Sequence, residues 1–333
     1  MSYIKCLRPP GALLLCHKFF TMTDLIKGFH HITAIAGDAK KNYDFYTRIL
    51  GLRMVKKTVN FDDPHTYHFY YGDENGTPGT ILTFFPWGSS MQSGRKGSRQ
   101  VTEIGYSVPA GSLDFWAKRF ETNNVIYNKP AEKFGEQYLT FLDPDGLKFE
   151  LTVPKTPDNR APWTTPEVGA DNATRGFHHI TITTNKAEPT AYILTKVFGY
   201  RLLEQEVNRY RYITDAIDTA NIVDLVELPQ EGIGHVAGGS VHHVAFRVKD
   251  EATLMEYREK IVALGLHITE KIDRNYFYSL YFREPGGVLF EIATENPGFA
   301  TDETVAQLGS GLKLPAQYES KRKEIEAVLP KLD

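Results

Sequence analysis

Apolar positions recur along this chain at two spacings. Short runs rich in β-branched and aromatic residues, such as HHITAI (30–35), TYHFYYG (66–72), TILTFFP (80–86), HHITIT (178–183) and NRYRYI (208–213), predict strands. Between them, Tyr43, Tyr46, Ile49 and Leu50 return at helical spacing after a polar turn, and Gly51 stands where a helix ends; Gly199 takes the same place later. Each such unit opens β then α, continues through strand-like aromatic stretches, and reads as βαβββ.

The pattern repeats. GFHHIT occurs at 28–33 and again at 176–181, and the ungapped likeness runs on through 28–55 against 176–203. Similarity at a fixed offset means duplicated structural units. A second pair matches 100–120 with 240–260, and then FLDPDGLKFELTV (141–153) with FREPGGVLFEIAT (282–294), each a turn feeding a strand. Four modules follow, an α+β chain. Residues 154–175, rich in Pro, Asp, Asn and Thr without apolar period, read as a linker. The expected division is a leading tail (1–25), an N-terminal domain of two modules (26–153), the linker, a C-terminal domain of two modules (176–297) and an extension (298–333). The extension ends in a charged helical segment expected to cap the last sheet, with covering the pocket as the alternative.

Composition narrows the function. With 333 residues, 41% hydrophobic, 24% charged and a net charge of −3, the chain is an ordinary globular one without the basic footprint of a nucleic-acid binder. No run reaches the length of a membrane span. The apolar patch near the start is too brief for a secretory signal, and Met22 suggests that residues 1–21 precede a second start. Both cysteines, Cys6 and Cys16, lie there, so the body has no disulfide, zinc-thiolate site or thiol nucleophile, which fits a cytoplasmic protein. The aromatic richness follows from strand propensity.

Candidate chemistry sits on strands. Glu291 in GGVLFEIAT shares a face with Leu289 and Ala293, a mostly apolar setting in which a buried carboxylate needs a cation or strong donors; exposure on an open face is the commoner fate of such a residue. His242 and His243 in SVHHVAFRV would singly be hydrogen-bonded core histidines. The internal repeat changes that reading: the second module has Thr102 and Glu103 at their positions and Thr140 where the fourth has Tyr281, while Glu150 still matches Glu291. Two histidines and a carboxylate from converging strands form the facial set that holds Fe(II) or Mn(II) with open positions. His243 and Glu291 supply two ligands, and a GFHHIT strand supplies the third, His31 or His179.

These residues resemble a family. HHIT, VHHVAF, RNYFYSLYFREPGG, VLFE and the stretch VNFDDPHTYHFYYGDENGTPGTILTFFPWG (59–88) are similar to the vicinal oxygen chelate (glyoxalase-like) superfamily, within it to two-domain ring-cleaving dioxygenases acting on hydroquinones, over about residues 26 to 320. The resemblance implies modules paired into two half-open mixed β-barrels, Fe(II) (or Mn(II) or another divalent ion) on His31, His243 and Glu291, and a small aromatic substrate with O2. It implies supporting or acid/base roles for His242, Tyr281 and Arg274, with Thr33 and His30 close by. No nucleic-acid or membrane partner is implied, and a homo-oligomer is compatible. Relatives often lack the paired histidines of the third module, which are intact here. If the fourth module pairs with the third, His179 is the ligand; if with the first, as the resemblance favours, His31. Adjacent residues on a regular strand face opposite ways, so His30 and His242 share the metal face only if the strands bulge. Rival functions are a metal-dependent isomerase or transferase, which would carry a further carboxylate ligand, and a metal-free aromatic-binding resistance protein.

Overall fold

The computed structural model describes residues 26 to 332. The expectations about the leading tail, its second start and both cysteines lie outside the described residues.

Four βαβββ modules follow one another as the repeat predicts. The first is β1 (Phe29–Ala36), α1 (Ala39–Asp44) continuing into a π-helical turn, β2 (Arg53–Val59), β3 (Tyr67–Gly72) and β4 (Ile81–Pro86). The second is β5 (Gln100–Ser107), α2 (Leu113–Thr122), β6 (Ala131–Lys133), β7 (Glu136–Leu142) and β8 (Lys148–Thr152). The third is β9 (Phe177–Thr184), α3 (Ala187–Tyr192), β10 (Arg201–Glu206), β11 (Arg209–Ile213) and β12 (Ile222–Glu227). The fourth is β13 (Ser240–Val248), α4 (Glu251–Ala263), β14 (Ile272–Asp273), β15 (Phe277–Arg283) and β16 (Leu289–Pro297). Gly51 and Gly199 take φ of +70° and +78°, the left-handed conformation that ends the helical segment in the first and third modules. In α4, Asp250 accepts the Thr253 N–H at 2.9 Å as an N-cap, and Thr253, Leu254, Tyr257 and Ile261 make the buried stripe.

Assembly of the modules departs from chain order. One eight-stranded sheet runs β14-β15-β16-β13-β1-β4-β3-β2, the other β10-β11-β12-β9-β5-β8-β7-β6. The first and fourth modules therefore share one half-open barrel, and the second and third share the other. Within each module the first and last strands are parallel, and the modules join through antiparallel first strands, β1 with β13 and β5 with β9. The sequential halves 26–153 and 176–297 are thus not the units the sheets build. All four first strands offer a free edge with similar alternation, so the pattern alone does not select a partner. A continuous core runs between sheets and helices, with Phe29, Phe198, Phe246 and Phe290 in one layer and Trp116, Phe120, Phe141 and Phe149 in another.

The extension caps an edge. Lys313 N–H donates to Lys57 O at 2.9 Å beside β2, and Ile325 and Leu329 of the terminal segment, which includes α5 (Arg322–Val328), pack on Val59. It also touches the pocket rim, because the Tyr318 hydroxyl donates to Phe61 O at 2.7 Å.

The paired turn motifs have a shared chemistry. Asp143 accepts N–H bonds from Asp145 (2.9 Å) and Leu147 (2.8 Å), and Glu284 does the same for Gly286 (2.7 Å) and Val288 (2.9 Å). Burial pushes the Asp143 carboxyl up to about 7, against the lowering effect of these donors and of the Tyr46 hydroxyl. A raised folded-state value means that the native protein keeps a proton the unfolded chain gives up, so stability falls as pH rises from about 4 through about 7. Asp143→Asn should abolish that loss: between pH 5 and 8 its stability should gain on wild type by on the order of a few kcal/mol, read by denaturant titration at each pH.

Candidate metal centre

In the first sheet the strand register brings three potential ligands to one point. His31 on β1 lies opposite Ala245 of β13, His243 lies opposite Thr33, and Ala245 is the parallel neighbour of Glu291 on β16, which in turn faces Tyr281 on β15. All three side chains are buried, and Glu291 is 0% exposed. His31 Nε2 stands 3.2 Å and His243 Nε2 2.9 Å from Glu291 Oε2, and the two Nε2 atoms are 3.3 Å apart. An ion with bonds of about 2.1 Å needs neighbouring octahedral donors about 3.0 Å apart. Neither oxygen of Glu291 accepts a well-directed hydrogen bond. A buried carboxylate without directed donors, facing two imidazole nitrogens, fits a divalent cation and is costly without one. Burial pushes the Glu291 carboxyl up, but the two imidazoles outweigh it and hold the group well below the usual carboxylate range. Burial lowers His243, leaving a neutral imidazole suited to a metal.

Why the histidines come in pairs is visible in the backbone. The β1–β13 ladder slips at His30, between Phe29 and His31, and again between Thr33 and Ala34, where His242 is the extra residue of β13. Each bulge turns the first histidine of a pair toward the second: His30 Nδ1 lies 2.9 Å from His31 Nδ1, and His242 Nδ1 2.7 Å from His243 Nδ1. A proton held between the Nδ1 atoms leaves each Nε2 lone pair free for the centre. Burial, then the adjacent His243, push His242 down to about 3.

A cavity of about 340 Å³ opens on this face, lined by Thr33, His68, Trp87, His242, Arg274 and Tyr281 among others. Benzene is held in about 150 Å³ of apolar cavity, so one substituted ring fits. The Arg274 Nε–H donates to the Tyr281 hydroxyl at 3.3 Å, and the Tyr281 ring meets His243 edge-on. His179, the rival ligand, lies in the other sheet.

A family model described as Glyoxalase/Bleomycin resistance protein/Dioxygenase superfamily matches residues 28–151 and 176–292. The chain belongs to this superfamily. Within the superfamily it is 46% identical over 299 residues to the "Putative ring-cleaving dioxygenase MhqO" of Bacillus subtilis (strain 168), covering 90% of this chain and 94% of that one. It is 34% identical to the chlorohydroquinone/hydroquinone 1,2-dioxygenase of Sphingobium indicum, covering 91% and 96%. A crystal structure described as a putative dioxygenase from Bacillus subtilis superposes with a TM-score of 0.88 at 44% identity, over 93% of this chain and 98% of that one. Glyoxalase I of Zea mays, at 14% identity and TM-score 0.60 over 80% of this chain and 92% of that one, shares the fold alone. The chain thus stands among the ring-cleaving dioxygenases of the superfamily.

Sequence reasoning overlooked one wall of this superfamily site. The Tyr70 hydroxyl is 2.9 Å from His68 Nδ1, His68 Nε2 is 2.9 Å from Thr83 Oγ1, and Thr83 Oγ1 is 2.8 Å from Thr33 Oγ1. This polar chain runs along the cavity. Alternation in TYHFYYG held the signal, because Tyr67, Phe69 and Tyr71 pack in a row on the core side and leave His68 and Tyr70 on the other. The paired histidines carry a prediction of their own. His242→Ala removes the partner that fixes His243, so metal affinity should drop by about 10–100-fold without loss of fold, measured by competition with a chelator.

Proposed function

We propose that the chain is an Fe(II)-dependent, extradiol-type dioxygenase that opens the ring of a hydroquinone-like aromatic with O2, acting in the cytoplasm, with Mn(II) as the other ion the donor set accepts. The observation that carries it is a buried face of three donors, His31, His243 and Glu291, opening directly into a cavity the size of one ring. The name of the Sphingobium relative supports the hydroquinone class. When bound, a redox-active metal supplies the electronic path between an electron-rich ring and O2.

The chain's own residues do the rest. Glu291 offsets part of the ion's charge, and the Nδ1 contacts of His30 and His242 keep the ligand nitrogens of His31 and His243 aimed at it. His242, kept neutral by burial and with its Nδ1 turned to His243, lines the cavity and presents its Nε2–H to a substrate oxygen. The Tyr281 hydroxyl, backed by the Arg274 guanidinium, stabilises the ring oxyanion. Phe85, Trp87 and Phe277 exclude water from the ring. The metal isomerase alternative calls for a further carboxylate, whereas among the described residues the clustered ligands number three.

Oxygen uptake tests this. Anaerobically Fe(II)-loaded protein given methylhydroquinone should consume O2, with catechol and metal-free protein as controls. Stoichiometric metal with no uptake on either ring would overturn the dioxygenase assignment for these substrates.

A further inference from the structure

The second sheet repeats the register of the first residue for residue. His179 on β9 faces Gly105 of β5, Gly105 neighbours Glu150 on β8, and Glu150 faces Thr140 on β7, as His31, Ala245, Glu291 and Tyr281 do in the first sheet. His178 sits at a bulge with its Nδ1 2.9 Å from His179 Nδ1, and His179 Nε2 stands 3.3 Å from Glu150 Oε2, the pairing and spacing of the first centre. What differs is the cation. Lys133, aligned with Arg274 by the turn motif that follows each, buries its ammonium 2.5 Å from Glu150 Oε2 and 3.4 Å from His179 Nε2. Glu103, at the register position of His243, is drawn off to Lys148 (2.5 Å) and Arg209 (3.3 Å).

We infer that the second sheet holds a latent divalent-metal centre, built on His179 and Glu150, whose ion position is filled by the ammonium of Lys133. An imidazole nitrogen and a carboxylate oxygen that converge in a buried site need positive charge between them, and a lysine supplies it without an ion. Arg211, bound to Asp224 at 2.8 Å and to Glu136 at 2.5 Å, stands at the register position of Tyr70, which lines the ring cavity of the first sheet. Of the intact third-module pair, His179 is accounted for as the partner of an internal cation, and His178, 3.2 Å from Glu136, holds its Nδ1. Removing the ammonium leaves Glu150 buried beside His179 with Glu103 near, a set suited to Mn(II) or Co(II).

The test is metal analysis after equilibrium dialysis against Mn(II). Lys133→Ala should bind one ion per chain more than wild type, and Lys133→Ala combined with Glu150→Gln should return to the wild-type count. A folded Lys133→Ala protein with no additional ion overturns the inference. If that variant aggregates, Lys133→Gln, which keeps a donor toward Glu150, is melted with and without Mn(II). A Mn(II)-induced rise in Tm larger than that of wild type, with the excess lost in the double variant with His179→Ala, supports the latent centre, and no excess overturns it. The increment is read against wild type, so a wild type that binds no ion would refute the first centre and leave this one standing.

Discussion

Glu291→Gln should yield a folded protein that neither retains Fe(II) through gel filtration nor consumes O2 with a hydroquinone. Glu291 is the single anion of the three-donor set and is 0% exposed, so no solvent screens the change. An ion seated between His31, His243 and a glutamine would keep its full charge in a buried site. Breaking a buried charge pair by neutralising one member costs about 3–5 kcal/mol, which is on the order of 10²–10⁴-fold in affinity. The metal-free variant should still fold, because neither carboxylate oxygen takes a well-directed hydrogen bond that the amide would lose. Its Tm should fall below that of metal-free wild type, since the two imidazoles favour the ionised carboxylate over a neutral group and the amide forfeits that attraction. Metal content, oxygen uptake and Tm together read out the prediction; stoichiometric iron in the variant would remove Glu291 from the ligand set.

His31→Ala against His179→Ala should separate the two sheets. His31 Nε2 is within 3.3 Å of both partner ligand atoms, so its loss should lower metal affinity and oxygen uptake by more than about 100-fold, above the 10–100-fold that outer partners of a ligand are worth. His179 belongs to the other sheet and lies against Lys133 and Glu150. Its truncation should leave metal content and turnover within a few-fold of wild type while costing about 1–3 kcal/mol of stability, because buried polar groups lose a partner. The reverse pattern, iron lost from His179→Ala and kept in His31→Ala, would move the centre to the second sheet.

Much of the site was legible because chemistry-bearing residues were compared between copies of one module within one chain. His243 could be singled out against Glu103 and Tyr281 against Thr140 without knowing any contact, whereas Glu150 matches Glu291. Other features were not legible. A glutamate on an alternating strand is more often exposed, and only the placing of β16 between β13 and β15 in the curled sheet buries Glu291. Strict alternation also made His30 and His31 point apart. The bulges that reconcile them depend on the partner strand, since a bulge is a mismatch in count between two strands and exists in neither alone.

By itself the sequence determined the βαβββ unit, its four occurrences, the paired turns at 141–153 and 282–294 and the candidate residues for metal binding, because these rest on local spacing and side-chain chemistry. Tertiary structure decided which first strands pair, hence that His31 and not His179 meets His243 and Glu291, and that Lys133 fills the corresponding point in the other sheet. Four strand edges of like pattern compete for pairing, and their selection depends on how whole modules pack their helices and cores, a non-local energy that no window of residues contains.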